Sequence, residues 1–277
     1  MLQSLIQNLE FLECKMQNYE TIIFEIKDQV AKISLNRPQV HNAFNKTMVE
    51  ELFNVFQKAA RDSEIRVVIL TGKGKSFCAG ADLNWMREIV NYSYEENLEE
   101  SKQIAELLYL IYSLPKPTIA RVNGTTIGGG TGLMCACDII IASEKAKFGL
   151  SEVKLGLVPA VISPYVIKRI GESFARRYFL TGERLTAEQA LKIGLINTVV
   201  SEEELDNEVE KVITYLLTSG PNAIANCKRL LTKIPTMSLE EAKTYTAKMI
   251  ADLRISEEGQ EGMAAFLEKR KPNWVKS

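Results

Sequence analysis

Apolar positions in the first two hundred residues alternate between the spacing typical of strands and the spacing typical of helices. Two β-rich runs around the polar tripeptide KDQ predict a hairpin over 21–38, which ends at Pro38 because proline cannot continue a strand ladder. Helical spacing after a polar start predicts helices over 45–62 and roughly 93–113. Short apolar runs predict strands at 65–72, 118–124 and 138–143. This alternation predicts an α/β domain built on short crossover units.

The pattern changes at about residue 200, beyond which the apolar runs have helical spacing, broken at Gly220–Pro221 and at Pro235. An all-helical tail after an α/β core predicts either a small second domain or an oligomerisation element. The first fifteen residues lack the basic start of a secretory signal. They are expected to be an upstream-start extension or a loosely attached helix, and the extension is expected to be poorly ordered. The predicted organisation is an extension over 1–18, a core over 19–200 and a helical region over 201–277.

Composition and charge narrow the class of protein. The 277 residues are 46% hydrophobic and 25% charged with a formal net charge of −1, which is ordinary for a globular protein and gives no basic footprint for nucleic acid. No apolar run approaches the ~20 residues of a membrane-spanning helix. Five cysteines without paired metal-ligand spacing predict a reducing, cytoplasmic location and no metal site. Cys135 and Cys137 are expected to be buried small hydrophobes.

Three consecutive glycines, Gly128–Gly130, need a physical reason because glycine is costly to order. Either a tight turn leaves no room for side chains, or the backbone approaches a ligand closely. The run lacks the layout of a phosphate-binding loop, GxSxG is absent, and the single histidine, His41, is expected to be a turn residue. Two glycine turns, at 74–86 and 123–133, follow predicted strands and could direct N–H groups at one oxygen atom as an oxyanion hole.

Acid–base chemistry in this chain falls to the carboxylates, because the sequence carries neither a serine–histidine pattern nor a metal motif. Glu152 is the best-placed candidate, since it lies in an apolar, glycine-bearing segment shortly after the predicted strand at 138–143. Burial there would raise its pKa and suit it to exchange protons. The alternative is a surface carboxylate at a helix start that Ser151 caps, and the residues alone leave both interpretations open.

Several long segments, in order and correctly spaced, resemble the crotonase (enoyl-CoA hydratase/isomerase) superfamily from about Tyr19 to Trp274. They are LNRPQVHNAF, VVILTGKGKSFCAGADL, KPTIARVNGTTIGGGTGLMCACDIIIASEKAKFGLSEVKLGLVP, RRYFLTGERLTAEQALKIGLIN and GMAAFLEKRKP. The resemblance implies a ββα spiral core and a C-terminal helical region that trimerises, giving a homotrimer or a hexamer. It also implies an acyl-CoA substrate, with no cofactor beyond the coenzyme A that the substrate carries.

The resemblance also implies roles for individual residues. The N–H groups of Ala81 and Gly129 would form the oxyanion hole, and Glu152 would exchange protons with the acyl chain. The segment RPQVHNA and the turn ADLN would line the coenzyme A site. The residues implied in substrate and coenzyme A binding are Arg37, Gln39, Val40, Ala79, Asp82, Leu83, Asn84, Gly128, Gly132 and Pro159.

Gly132 departs from the pattern of the family hydratases. Those enzymes carry two glutamates, of which Glu152 matches the second, whereas Gly132 stands at the position of the first. The segment PAVISPY over 159–165 also replaces the usual PGAGGTQ, which predicts a bulkier and more apolar acyl pocket. Gly132 is expected to leave space for a branched or carboxylated acyl group.

The predicted reaction follows from the finer resemblance. CAGADLNWMR and LSEVKLGLVPAVISPYVI resemble bacterial methylglutaconyl-CoA hydratases, and less closely the crotonase-fold dehydratases of polyketide β-branching. The predicted activity is therefore hydration or dehydration of a CoA thioester, with 3-methylglutaconyl-CoA of leucine breakdown as substrate. A single-glutamate enoyl-CoA isomerase is the alternative. An RNA-binding protein and a non-catalytic scaffold subunit are more remote alternatives, the first disfavoured by the charge balance.

Overall fold

A computed structural model describes residues 15–276 of the chain, and its strands form two sheets. The strands are β1 (Lys15–Asn18), β2 (Ile22–Lys27), β3 (Val30–Leu35), β4 (Val67–Gly72), β5 (Ser76–Cys78), β6 (Thr118–Val122), β7 (Thr125–Ile127), β8 (Ile139–Ser143), β9 (Lys147–Gly149), β10 (Arg184–Thr186) and β11 (Thr198–Val200). The large sheet has the order β1-β2-β3-β4-β6-β8-β11, and the small sheet has the order β10-β9-β7-β5.

Helices cover both faces of the large sheet and make up the C-terminal part of the chain. They are α1 (Lys46–Arg61), α2 (Leu83–Ile89), α3 (Tyr94–Ser113), α4 (Gly129–Ala136), α5 (Ser163–Thr181), α6 (Ala187–Lys192), α7 (Leu205–Thr218), α8 (Pro221–Lys233), α9 (Leu239–Ile255) and α10 (Glu257–Leu267). Short 3₁₀ turns lie at Pro38–Val40, Glu152–Leu155 and Ile234–Thr236. No helix within residues 15–276 is both long enough and apolar enough to cross a membrane.

Local sequence signals account for the elements that were predicted. The β2–β3 hairpin turns at Asp28 and Gln29, which both adopt positive φ. The Asn45 side chain caps α1 by accepting a hydrogen bond from the Met48 N–H at 3.1 Å. Ser93 and Glu96 form a reciprocal capping box at the start of α3. The predicted helices and strands therefore occur within a few residues of their expected limits.

The core repeats one unit as the chain advances. Strands β4, β6 and β8 pair in parallel in the large sheet, and each is followed by a short strand of the small sheet, namely β5, β7 or β9. A helix or a helical turn then returns the chain to the large sheet, because parallel neighbours need a crossover connection. The fold is therefore the ββα spiral that the resemblance implied. The small sheet was not predicted, since three-residue strands are too short to show alternation.

The apolar face predicted for α1 is part of the main core. Met48, Leu52, Val55 and Phe56 are all buried there. On the opposite face of the large sheet, a second cluster joins the buried residues of α7 to outward-facing strand residues. Its members are Val67, Ile69, Ile119, Ile141, Leu205, Val209 and Ile213. The first helix after residue 200 therefore packs on the sheet, and the predicted domain boundary at 200 stays a prediction.

The first described residues pair with the large sheet, whereas the C-terminal helices α8 to α10 bury almost none of their residues. The predicted extension lies for the most part outside the described residues, but Lys15–Asn18 pair with β2 as the edge strand β1. These four residues thus belong to the large sheet and not to a separate extension. At the other end, neither α8 nor α9 contains a fully buried residue, and α10 buries Ala265.

Candidate active site

Two glycine turns meet at the carboxyl ends of the neighbouring parallel strands β5 and β7. Gly80 adopts a φ of +95°, and a Cβ there would lie 3.1 Å from the Ile127 carbonyl oxygen. A Cβ on Gly130 would lie 2.4 Å from the Cys78 carbonyl oxygen, closer than real Cβ atoms approach. The glycines are needed because the turn after each strand packs against the other strand. Part of the reason for the triple glycine is therefore steric.

The turns carry the two N–H groups that the resemblance implied as oxyanion donors. Ala81 is exposed, and Gly129 is half-buried as the first residue of α4, whose N-terminus carries the positive end of the helix dipole. Gly128 precedes it with a φ of +53°. Within the described part of the chain, neither the Ala81 N–H nor the Gly129 N–H donates to a protein acceptor. Both donors are therefore available to an oxygen atom of a ligand.

Glu152 lies beside this pair of turns. A Cβ on Gly128 would be 3.2 Å from Glu152 Oε1, so the carboxyl group packs against the glycine run. Glu152 Oε2 is buried and has no hydrogen-bond partner among residues 15–276. Burial raises the pKa of this carboxyl group, with partial opposition from a hydrogen bond to its own backbone. Ser151 makes no side-chain cap, so the arrangement differs from the alternative of a capped surface carboxylate.

Gly132 is tightly enclosed by the Ile162 side chain, which the sequence did not predict. A Cβ on Gly132 would lie 2.2 Å from Ile162 Cγ2 and 2.8 Å from Ile162 Cβ, with Leu108 Cδ1 at 3.6 Å. Ile162 is itself buried, just before α5. The expectation that Gly132 leaves space for an acyl branch is therefore wrong, because the Ile162 side chain fills that space. The isoleucine belongs to the unusual segment PAVISPY, so the two departures from the family pattern compensate each other sterically.

Two of the residues implied in coenzyme A binding are engaged with each other. Arg37 Nη2 lies 2.8 Å from Asp82 Oδ2 in a largely buried ion pair, and Arg37 Nη1 donates to the Ala43 carbonyl at 2.6 Å. Asp82 also caps α2 through the Asn84 N–H. Burial opposes ionisation of Asp82, but the hydrogen bonds from Asn84 and Arg37 outweigh it and lower its pKa. These side chains fasten the 37–44 loop to the turn after β5.

The remaining residues implied in coenzyme A and substrate binding include both exposed and buried positions. Gln39, Val40, Leu83 and Asn84 are exposed around the turns, where a ligand could reach them. Ala79 is half-buried and donates its N–H to the His41 carbonyl at 3.0 Å, whereas Pro159 is buried. His41 adopts a left-handed conformation at the end of a 3₁₀ turn, as expected of a turn residue.

Three residues that shape the site were not predicted from the sequence. Asn42 is buried and donates to the Lys73 and Ser76 carbonyls at 2.8 Å each, which ties its loop to the start of β5. Phe44 packs its ring on Gly129, and Ile162 fills the space at Gly132. The segment HNAF offered a signal for Asn42, since a buried asparagine must find partners. Nothing local marks Ile162, because its partner is thirty residues away in the sequence.

Cys135 and Cys137 have the environment of buried apolar residues. Cys135 and Cys137 are buried as expected, and burial raises the pKa of each thiol to about 12. Among the described residues, no group of three or more His, Cys, Asp or Glu side chains is placed to hold a metal ion. The described residues of the site thus include two backbone N–H groups, of Ala81 and Gly129, and the buried carboxyl oxygen of Glu152.

Comparisons with known proteins find relatives that match nearly the whole chain. The profile of the enoyl-CoA hydratase/isomerase family matches residues 25–277. A crotonyl-CoA hydratase of Syntrophomonas wolfei is 36% identical, over 93% of this chain and 98% of the relative. The 2,3-dehydroadipyl-CoA hydratase of Escherichia coli K12 is 32% identical, over 91% of this chain and 98% of the relative. A solved structure from Legionella pneumophila, described as an enoyl-CoA hydratase/isomerase (crotonase), superposes with a TM-score of 0.88 at 43% identity, covering 93% of this chain and 100% of that one. The chain belongs to the enoyl-CoA hydratase/isomerase family.

Proposed function

We propose that the protein catalyses the addition of water to an enoyl-CoA thioester, and the reverse dehydration. The observation that carries this proposal is the buried, unpartnered Oε2 of Glu152 beside the glycine run. A buried polar atom without a partner is costly, and a bound water or substrate would satisfy it. The two free N–H groups of Ala81 and Gly129 supply the complementary feature, a site for a negatively charged oxygen.

The proposed reaction uses one carboxyl group twice. The Glu152 carboxylate accepts a proton from water while the water oxygen bonds to C3 of the acyl chain. The electron pair of the C2–C3 double bond moves toward the thioester oxygen, and the N–H groups of Ala81 and Gly129 stabilise the resulting enolate. The Glu152 carboxyl then delivers its proton to C2, which completes the addition. A raised pKa suits both halves of this cycle, because it lies nearer the working pH.

For the acyl group we propose 3-methylglutaconyl-CoA, a branched substrate with a terminal carboxylate. The wall formed by Gly132, Ile162 and Leu108 is uncharged, whereas a second glutamate there would repel a carboxylated chain. A relative that is 32% identical is named for a dehydroadipyl thioester, whose acyl chain also ends in a carboxylate. The branch and the carboxylate must then be accommodated elsewhere in the pocket, since Ile162 occupies the space at Gly132.

An enoyl-CoA isomerase is the second candidate, and the apolar wall favours it. With Ile162 in the place of a second carboxyl group, Glu152 would be the single acid–base group. One such group is sufficient to move a proton between C2 and C4 without adding water. The two candidates differ in whether a water molecule occupies the space beside Glu152 Oε2 when the substrate binds.

We also propose that the protein is a cytoplasmic homotrimer, or a hexamer of two trimers. The C-terminal helices expose several large apolar residues, including Leu239, Ile255 and Phe266, each at least 80% exposed. A second apolar cluster follows Glu152, where Leu155, Leu157 and Val158 are also exposed. Covering these surfaces with neighbouring copies would remove them from water and would close the site around Glu152.

A substrate panel tests the proposed function. Crotonyl-CoA, 2,3-dehydroadipyl-CoA, 3-methylglutaconyl-CoA and a 3-enoyl-CoA are incubated with the enzyme, and the absorbance of the conjugated thioester is followed. A hydratase lowers this absorbance with 2-enoyl substrates, whereas an isomerase raises it with the 3-enoyl substrate. Preference for 3-methylglutaconyl-CoA supports the proposed acyl group, and absence of any turnover would reject catalysis in favour of a scaffold role.

A further inference from the structure

The backbone of Phe44 controls the direction of one proposed oxyanion donor. Phe44 N donates to the Gly80 carbonyl oxygen at 2.9 Å, and the Phe44 carbonyl accepts from the Asp82 N–H at 3.0 Å. The Gly80 carbonyl and the Ala81 N–H belong to one peptide group, and in a trans peptide they point in opposite directions. The hydrogen bond from Phe44 therefore fixes the Ala81 N–H so that it points away from Phe44.

The side chain of Phe44 reaches the other proposed donor. A Cβ on Gly129 would lie 2.2 Å from Phe44 Cζ and 2.3 Å from Cε1, so the ring packs directly on the Gly129 Cα. Gly129 is the first residue of α4 and carries the second N–H group, so the ring packs directly beside that donor. Phe44 thus contacts the peptide of one donor through its backbone and the residue of the other through its ring.

Phe44 packs its ring against Trp85 as well as against Gly129. Its ring meets the Trp85 ring edge-on, with centroids 5.7 Å apart and an interplanar angle of 65°. Both rings are buried, and Trp85 Nε1 donates to Glu100 Oε1 of α3 at 2.5 Å. Trp85 lies on α2, directly after the turn that carries Ala81. A continuous chain of contacts therefore leads from α3 through Trp85 and Phe44 to Gly129.

We propose that Phe44 is a positioning residue that sets the two N–H donors of the oxyanion hole relative to each other. The inference rests on the proposed function, because it assumes that these donors bind the thioester oxygen. Misplacement of a catalytic group by about 1 Å can cost on the order of 10²-fold in rate. Since Phe44 acts on the enolate-binding groups and not on the coenzyme, its loss should lower kcat and leave KM nearly unchanged.

The test is a cycle of variants that exploits the contact between Phe44 and Gly129. Phe44→Ala removes the ring, Gly129→Ala inserts a methyl group into the ring, and the double variant places that methyl group in the vacated space. Phe44→Leu keeps apolar bulk against Gly129. Phe56→Ala is the matched control, because Phe56 is also buried but lies on α1 within the main core.

Two readouts are followed, kcat with KM for the best enoyl-CoA of the panel, and the absorption shift of a bound conjugated CoA thioester. Strong donors at the carbonyl oxygen displace electron density and shift that band to longer wavelength. Phe44→Ala and Gly129→Ala are each expected to lose about 10- to 10²-fold in kcat and most of the band shift. The double variant is expected to recover about three- to tenfold over Gly129→Ala, an interaction typical of residues in contact. Phe44→Leu should retain most of the activity, and Phe56→Ala should alter thermal stability without altering the band.

Other results would overturn the proposal. If Gly129→Ala and the double variant have equal kcat, the ring does not act through Gly129. If Phe44→Ala keeps both kcat and the band shift, the donors do not depend on Phe44, although the proposed function stands as long as the wild-type protein hydrates its substrate. Lack of turnover by the wild-type protein across the panel would instead reject the proposed function, and this inference with it.

Discussion

The contact between Gly132 and Ile162 gives a prediction that a small substitution can test. In Gly132→Ala the new Cβ would lie 2.2 Å from Ile162 Cγ2, whereas carbon atoms in contact are normally about 3.5–4.0 Å apart. Helix α4 and the start of α5 would have to separate to relieve this clash. Overpacking of this kind costs about 1–3 kcal/mol, and the better helix propensity of alanine returns at most about 1 kcal/mol. We therefore expect a net loss of about 1 kcal/mol in the free energy of unfolding.

Denaturant unfolding at one fixed protein concentration measures this loss, because the stability of the proposed oligomer would depend on concentration. Ile162→Ala alone should cost about 2–5 kcal/mol, as large-to-small changes in a core do. Alanine removes Cγ2 but keeps the Cβ that would lie 2.8 Å from the new methyl group. Adding Gly132→Ala to Ile162→Ala should therefore cost clearly less than it costs in the wild-type protein, although not nothing. Ile162→Val is the matched control, because valine retains Cγ2 and Gly132→Ala should keep its full cost there. Equal costs in the isoleucine, valine and alanine backgrounds would refute the steric reasoning.

The remaining predictions concern the mechanism and the assembly. Glu152→Gln keeps the shape of the side chain but cannot exchange protons, so kcat should fall by about 10² to 10⁴-fold with little change in KM. A residual rate above about a tenth of the wild-type rate would contradict the role of Glu152. Because burial raises the folded pKa of Glu152 above its ordinary value of 4.5, the stability that its protonated form contributes is present below that value and is lost as the pH rises through the raised pKa. Glu152→Gln should therefore be more stable than wild type at neutral pH and should lose this advantage below about pH 4.5, as measured by thermal unfolding across pH. Light scattering at micromolar concentration should give the mass of a trimer or a hexamer, and a monomer would contradict the proposed assembly. Activity should survive treatment with a chelator, since the proposed reaction needs only backbone donors and one carboxyl group. Loss of activity on chelation, followed by recovery when a divalent ion is added, would argue against that mechanism.

The sequence alone determined the local elements and the candidate chemistry. Helix α1 has an apolar face at helical spacing and a capping asparagine, so both its limits and its buried side could be read from adjacent residues. The same holds for the buried strands β4 and β8 and for the change to helices after residue 200. Glu152 was identifiable because few other carboxylates lie in so apolar a segment. These features depend on residues that are neighbours in the chain.

The tertiary structure decided what the sequence left open, because the deciding contacts join distant residues. Nothing near Glu152 in the sequence shows that its Oε2 lacks a partner, since that depends on how the 3₁₀ turn packs beside Gly128. Gly132 suggested open space when considered alone, and only the packing of the segment before α5 shows that Ile162 fills it. In the same way, the short strands of the small sheet become strands only by pairing with one another, which brings the turns of Ala81 and Gly129 together. Periodicity reports which side of an element is buried, but not which residue lies opposite, and the chemistry of this site depends on those opposing residues.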